Sequence, residues 1–238
     1  PGEQPAADRP DTVSGCRADR LGGTHGRLRA AYAPGPVTLA ALLLLAPLAT
    51  GVFDGATMVW RHAWIPAAGL DLAFRLDGLG LLFALMILVI GLLVILYARY
   101  YLSENDPMGR FYAYMLLFMG SMLGLVLSEN LIQLLIFWEL TSISSFLLIS
   151  YWKHRPDARQ GARMALAITG GGGLALLGGF LLLGEMAGSY DLSVVLQSGD
   201  LIRAHPLYVP ALVLVLLGVF TKSAQFPFHF WLPHAMAA

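Results

Sequence analysis

Charge is what this chain has least of. Asp, Glu, Lys and Arg make up 13% of its 238 residues against 57% hydrophobic, where a soluble domain carries about 25% charged residues. That excludes an ordinary soluble domain and implies a membrane protein. The 15 basic and 15 acidic residues cancel, so no overall field recruits nucleic acid. The lone cysteine, Cys16, cannot form an internal disulfide and sits beside no histidine cluster that would hold a metal. No Ser-His-Asp order and no usable carboxylate pair occurs, so the chain offers no catalytic residues for a hydrolase or metalloenzyme and calls for no cofactor.

Long apolar runs are present instead. Residues 1–36 are rich in Pro, Gly, Arg and Asp and read as a polar, disordered arm. A signal peptide ending near "APLAT" would need a shorter charged prefix than this arm. From residue 37 the runs are Val37 to Phe53, Gly78 to Ala98, Phe111 to Leu127, the segment bracketed by Glu129 and Lys153, Met164 to Gly184, and a last one from Leu207 through Lys222. Each is long enough for a span of about 20 residues. The expected fold is an all-α polytopic membrane helix bundle of six spans, since helices satisfy their own backbone in lipid. Residues 37–238 form its single domain.

Basic residues set the orientation. The arm, Arg99 with Arg110, and the loop carrying Lys153, Arg155, Arg159 and Arg163 fall on one side, against Arg61, Arg75 and Arg203 on the other. The positive-inside rule then predicts a cytoplasmic arm in a cell membrane protein.

Two charges lie within the runs. Glu139 is ten residues from Glu129 and fourteen from Lys153, which at about 1.5 Å per residue places it near mid-membrane. Lys222 ends an apolar run, and a cation at the bilayer centre costs roughly 2.5–3.5 kcal/mol on insertion scales, so such a residue marks function and needs a partner. Glu139 is the partner the sequence offers. Lys222, Gln225 and His229 follow i, i+3, i+7 and share one helical face if Pro227 merely kinks the helix. A snorkelling lysine is disfavoured by Phe226, Phe228, Phe230 and Trp231, which prolong the apolar segment. The run "TGGGGLALLGG" lacks the ending of a phosphate loop and reads as small residues that let helices approach closely. His205 and His234 read as ordinary residues near span ends.

The stretches "FRLDGLGLLFALMI", "ENLIQLLIFWELTSISSFLLISYW" and "FTKSAQFPFHFWLPHAMAA" resemble the antiporter domain shared by Mrp-type sodium/proton antiporters and respiratory complex I. The Phe-Trp-Glu-Leu-Thr-Ser and Lys-Ser-Ala-Gln-Phe-Pro-Phe-His forms are most similar to the large A-type subunit of the Mrp antiporter. The resemblance implies a charge pair of Glu139 and Lys222 beside a hydrated proton path, with Pro227 at the helix break and His229 as a relay. It also implies partners: other membrane subunits of a hetero-oligomeric antiporter, the lipid bilayer, protons and sodium ions. The family continues past "PHAMAA" and normally begins with a further apolar helix, so the chain, starting at Pro1, is expected to be an amino-terminal fragment incomplete at its carboxyl end. A proton-pumping subunit of a complex I-like oxidoreductase or membrane hydrogenase is the rival reading, and an inert scaffold a third. Complex I relatives tend to carry Gly-Trp-Glu where this chain has Phe-Trp-Glu.

Overall fold

A computed structural model describes residues 34–65, 70–103, 106–152 and 155–236. The basic residues of the arm and Lys153 lie outside them.

Among the described residues, five helices are long and apolar enough to cross a membrane: α1 (Pro34–Phe53), α2 (Gly78–Tyr101), α3 (Met108–Leu127), α4 (Leu131–Ile149) and α5 (Pro156–Ala187). Two short helices, α6 (Leu192–Gln197) and α7 (Gly199–Ala204), lead into α8 (Tyr208–Lys222), and a 3-10 turn at Phe228–Phe230 precedes α9 (Trp231–Met236). The protein is a multi-pass helical membrane protein. Local chemistry fixes the ends of these helices. Asp77 caps α2 by accepting from the Gly80 amide at 2.8 Å, and Asn130 caps α4 by accepting from the Ile132 and Gln133 amides at 3.0 and 3.3 Å. Pro156 opens α5, where its missing amide costs nothing, and Gly188 closes it in the left-handed region at φ 69°.

Length separates α5 from α8. The 32 residues of α5 extend about 48 Å, more than the ~30 Å hydrocarbon layer, so its ends stand outside the layer. The 15 residues of α8 extend only about 22 Å, too short to cross the layer alone. Lys222 is its last residue.

Two apolar clusters make the core. One joins α1, α2 and α3 through Leu45, Leu81, Leu88, Ile95 and Met119. The other joins α4, α5 and α8 through Leu135, Leu176, Phe180 and Ala211. Outward leucines such as Leu79, Leu82 and Leu93 stay exposed, as expected where lipid is the solvent.

One element was not foreseen. The loop between α1 and α2 is an antiparallel hairpin, β1 (Met58–Ile65) and β2 (Leu70–Leu76), in register Met58↔Leu76 through Ala63↔Asp71. It lies outside the apolar layer, against the α3–α4 turn. The Glu129 amide donates to Ala73 O at 2.9 Å, and the Ala73 amide donates to Gln133 Oε1 at 2.8 Å. On the far side of the same turn, the Leu131 amide donates to Tyr190 O at 2.8 Å and the Leu192 amide to Glu129 O at 2.6 Å. Hairpin, turn and the segment after α5 are therefore stitched into one cap.

Candidate functional site

The glycines of α5 bring the charged helices together. A Cβ on Gly172 would collide with the Thr221 side chain of α8, and one on Gly218 would meet Gly172 O at 2.9 Å. The two backbones can approach only because both residues are glycine. One residue on, a Cβ at Gly173 would strike the Glu139 carboxylate. The glycine run is thus a helix face that seats α4 and α8, and no loop.

That packing aims Lys222 at α4. Its ammonium donates to Thr141 Oγ1 and Ser142 Oγ, both at 2.7 Å, and to Trp138 O at 3.3 Å. Three acceptors meet three donors, so the ammonium is fully satisfied without a carboxylate. The Trp138 ring adds its face, with its centroid 5.4 Å from Nζ. Both hydroxyls in turn donate to Trp138 O, at 2.7 and 3.3 Å, making this carbonyl the hub of the network.

Glu139 is the neighbour that makes no contact. Its Oε1 is buried and has no hydrogen-bond partner among the described residues, and no ion pair of 4.0 Å or less joins it to Lys222. The two charges still act on each other electrostatically. The resemblance implies a charge pair; in the structure the lysine is solvated by hydroxyls, and the Glu139 carboxylate lies against Gly173 without an ion-pair contact to it.

The shared face of Lys222, Gln225 and His229 does not form. α8 stops at Lys222, and the chain turns through Ala224, whose φ of 52° is a conformation alanine adopts only with strain. The break therefore precedes Pro227. The Gln225 amide folds back to Phe220 O at 2.9 Å, while the Trp231 indole donates to Thr221 O at 2.9 Å. The Gln225 side chain is exposed and donates to Ser223 O at 3.5 Å. His229 is exposed and stacks on Phe226 at 5.8 Å. Neither reaches Lys222. The four hydroxyl-bearing residues of "ELTSISS", which starts at Glu139, were the available signal for what does.

A second ionic cluster sits in the outer cap. Glu129, 1% exposed, lies 3.7 Å from Arg75 and 4.0 Å from Arg61, and Arg75 and Arg61 pair further with Asp77 at 3.2 Å and Asp191 at 2.7 Å. Glu129 Oε1 also accepts from the Ser193 amide at 3.2 Å. The hydrogen bond to Asp191 holds the Arg61 guanidinium above its ordinary range despite partial burial.

Comparison with known proteins decides the family. Residues 128–238 match the model described as NADH:quinone oxidoreductase/Mrp antiporter, TM, and residues 64–112 that of NADH-Ubiquinone oxidoreductase (complex I), chain 5 N-terminus. The chain belongs to the Mrp antiporter and complex I membrane-subunit family. Within that family it is 59% identical over 204 residues to the A/B-type subunit of a probable K(+)/H(+) antiporter of Rhizobium meliloti, which aligns 86% of this chain. It is 54% identical over 176 residues to the A-type subunit of the Na(+)/H(+) antiporter of Alkalihalophilus pseudofirmus, which aligns 74%. The Mrp complex from Dietzia sp. shares the fold at a TM-score of 0.73 and 33% identity over 90% of this chain and 25% of that one. A membrane-bound sulfane sulfur reductase superposes at 0.69 and 22% identity, over 88% of this chain and 45% of that one, a likeness of fold alone. The chain spans 20% and 22% of the length of the two curated relatives.

Proposed function

We propose that the chain moves protons within a multisubunit monovalent cation/proton antiporter, with Lys222 taking up and releasing the proton and Glu139 biasing it. The single observation that carries this reading is the solvation of Lys222 by Thr141 and Ser142 at membrane depth, beside a carboxylate left without a partner. A hydroxyl both donates and accepts, so Thr141 and Ser142 can serve the ammonium and, by rotating, the neutral amine. The site therefore holds the lysine in either state without rebuilding the backbone. A contact ion pair would favour one state only. Motion that shortens the distance between Glu139 and Lys222 favours the charged lysine and loads it; separation releases the proton. Beyond the break, water along the freed carbonyls would carry it past Gln225 and Pro227 to His229.

The relatives' names supply both sodium and potassium, so the exchanged ion is assigned to the monovalent class. Other membrane subunits of the antiporter complete the path. The protein sits in the cell membrane with its amino-terminal arm in the cytoplasm, and a cysteine at the exposed Asp157 should be labelled only when the inner face is opened. Labelling from outside intact cells would reverse the orientation.

The test is dye-reported proton movement in vesicles bearing equal amounts of complete antiporter. Lys222→Ala should abolish it with the complex assembled. Lys222→Arg should fail as well, because arginine keeps its proton. Full movement in Lys222→Ala would remove the lysine from the path.

A further inference from the structure

The end of the bundle opposite the hairpin carries a cleft that the proton path does not use. Tyr114 of α3, Phe146, Leu147 and Ser150 at the end of α4, and Arg159 and Arg163 at the start of α5 line an open cavity of about 530 Å³. Its level follows from helix length. α4 ends at Ile149, whereas α5 overruns the hydrocarbon layer, so its opening turns stand where headgroups lie.

The charges there meet no counter-charge among the described residues. Arg159 and Arg163 are four residues apart and share one face of α5. Both are exposed, and the Arg163 Nε donates to Arg159 O at 3.2 Å. No carboxylate among the described residues forms an ion pair with either. Asp157, two residues before Arg159, points to another side of the helix. Below the arginines, Phe146 and Leu147 supply an apolar wall, and Tyr114 and Ser150 supply hydroxyls at the boundary.

We infer that this cleft is a binding site for an anionic phospholipid, its phosphate held by Arg159 and Arg163 and its acyl chain laid against Phe146 and Leu147. Two guanidinium groups with no acid partner fit a phosphodiester, which they can grip through paired N–H donors. The apolar wall on the membrane side selects a lipid over a free phosphate, and basic pockets between membrane helices are a recurring setting for acidic headgroups. The inference stands independently of the proton path.

The experiment places the complete complex in phosphatidylcholine nanodiscs doped with phosphatidylglycerol or phosphatidylcholine that carries a photoactivatable acyl chain, and maps the labelled peptides. The phosphatidylglycerol probe should label the segment containing Phe146 and Leu147, and the phosphatidylcholine probe should not. Arg159→Gln with Arg163→Gln should lower that labelling roughly tenfold or more, and the double lysine variant should keep most of it. Inorganic phosphate at millimolar concentration should not compete. Equal labelling by both probes, labelling untouched by the glutamine variant, full competition by phosphate, or a cleft closed to both probes by another protein segment would each overturn the inference.

Discussion

Two glutamates ten residues apart are treated in opposite ways. Glu129, in the outer cap, is buried with Arg75, Arg61 and a main-chain amide around it. Glu139, ten residues further along, is given a glycine wall, and its Oε1 is buried with no hydrogen-bond partner among the described residues. On the proposed function, the difference lies in what each charge is for. A carboxylate that fastens three segments gains from two guanidinium groups and an amide around it, even though its Oε2 makes no hydrogen bond and only the 3.7 Å ion pair with Arg75. One that must alter the state of a nearby lysine gains from being left unsatisfied, since its field is not committed to a fixed contact. The same helix, α4, starts at the first and carries the second.

The comparison can be broken most forcefully at Glu129. Replacing it by alanine leaves Arg75 with Asp77 and Arg61 with Asp191, and because these arginines are 24% and 41% exposed it should cost less than the roughly 3–5 kcal/mol of breaking a fully buried pair. Thermal unfolding of the purified complex should show a clear drop in midpoint. Next is Gly172→Leu, which forces α5 from α8; overpacking of this kind costs about 1–3 kcal/mol and should lower the amount of assembled complex in the membrane. Normal assembly with altered ion preference would make this a pore-lining position instead.

Thr141→Val and Ser142→Ala sharpen the other half. Each removes one hydrogen bond to a charged group, worth about 1.5–3 kcal/mol, so each single variant should slow proton movement while the pair stops it. Assembly should hold in all three. The smallest effect belongs to Arg61→Gln. Its side chain is 41% exposed, and exposed ion pairs contribute about 0–1 kcal/mol. Any loss should be within the error of a melting curve and should shrink further in high salt.

The membrane helices were legible because each writes itself as an apolar run with at most one charge, and Glu139 and Lys222 were legible because lipid makes a charge within such a run conspicuous. The glycine face was legible for a similar reason: small residues inside an apolar run have few uses besides close packing. What the sequence did not disclose was register between helices. Whether Lys222 meets Glu139 or Thr141 depends on a shift of two residues, about 3 Å, along α4, set by how Gly172 and Gly218 cross, and nothing local to "FWELTS" fixes it. The end of α8 misled for a different reason. Pro227 is the visible helix breaker, yet the backbone turns at Ala224, where no residue type announces it. The hairpin was hidden by weak patterning: "LDLAFRL" alternates but "MVWRHAWI" does not, and both stand beside far stronger helical runs.

The central claim is that of the two buried glutamates only Glu139 serves transport. It is tested most directly by measuring proton movement per assembled complex for Glu139→Gln and Glu129→Gln side by side in vesicles. Glu139→Gln should assemble in normal amount and lose proton movement. Glu129→Gln should assemble poorly, with each surviving complex moving protons at the normal rate. Full movement in Glu139→Gln, or a well-assembled Glu129→Gln complex that moves none, would contradict the account.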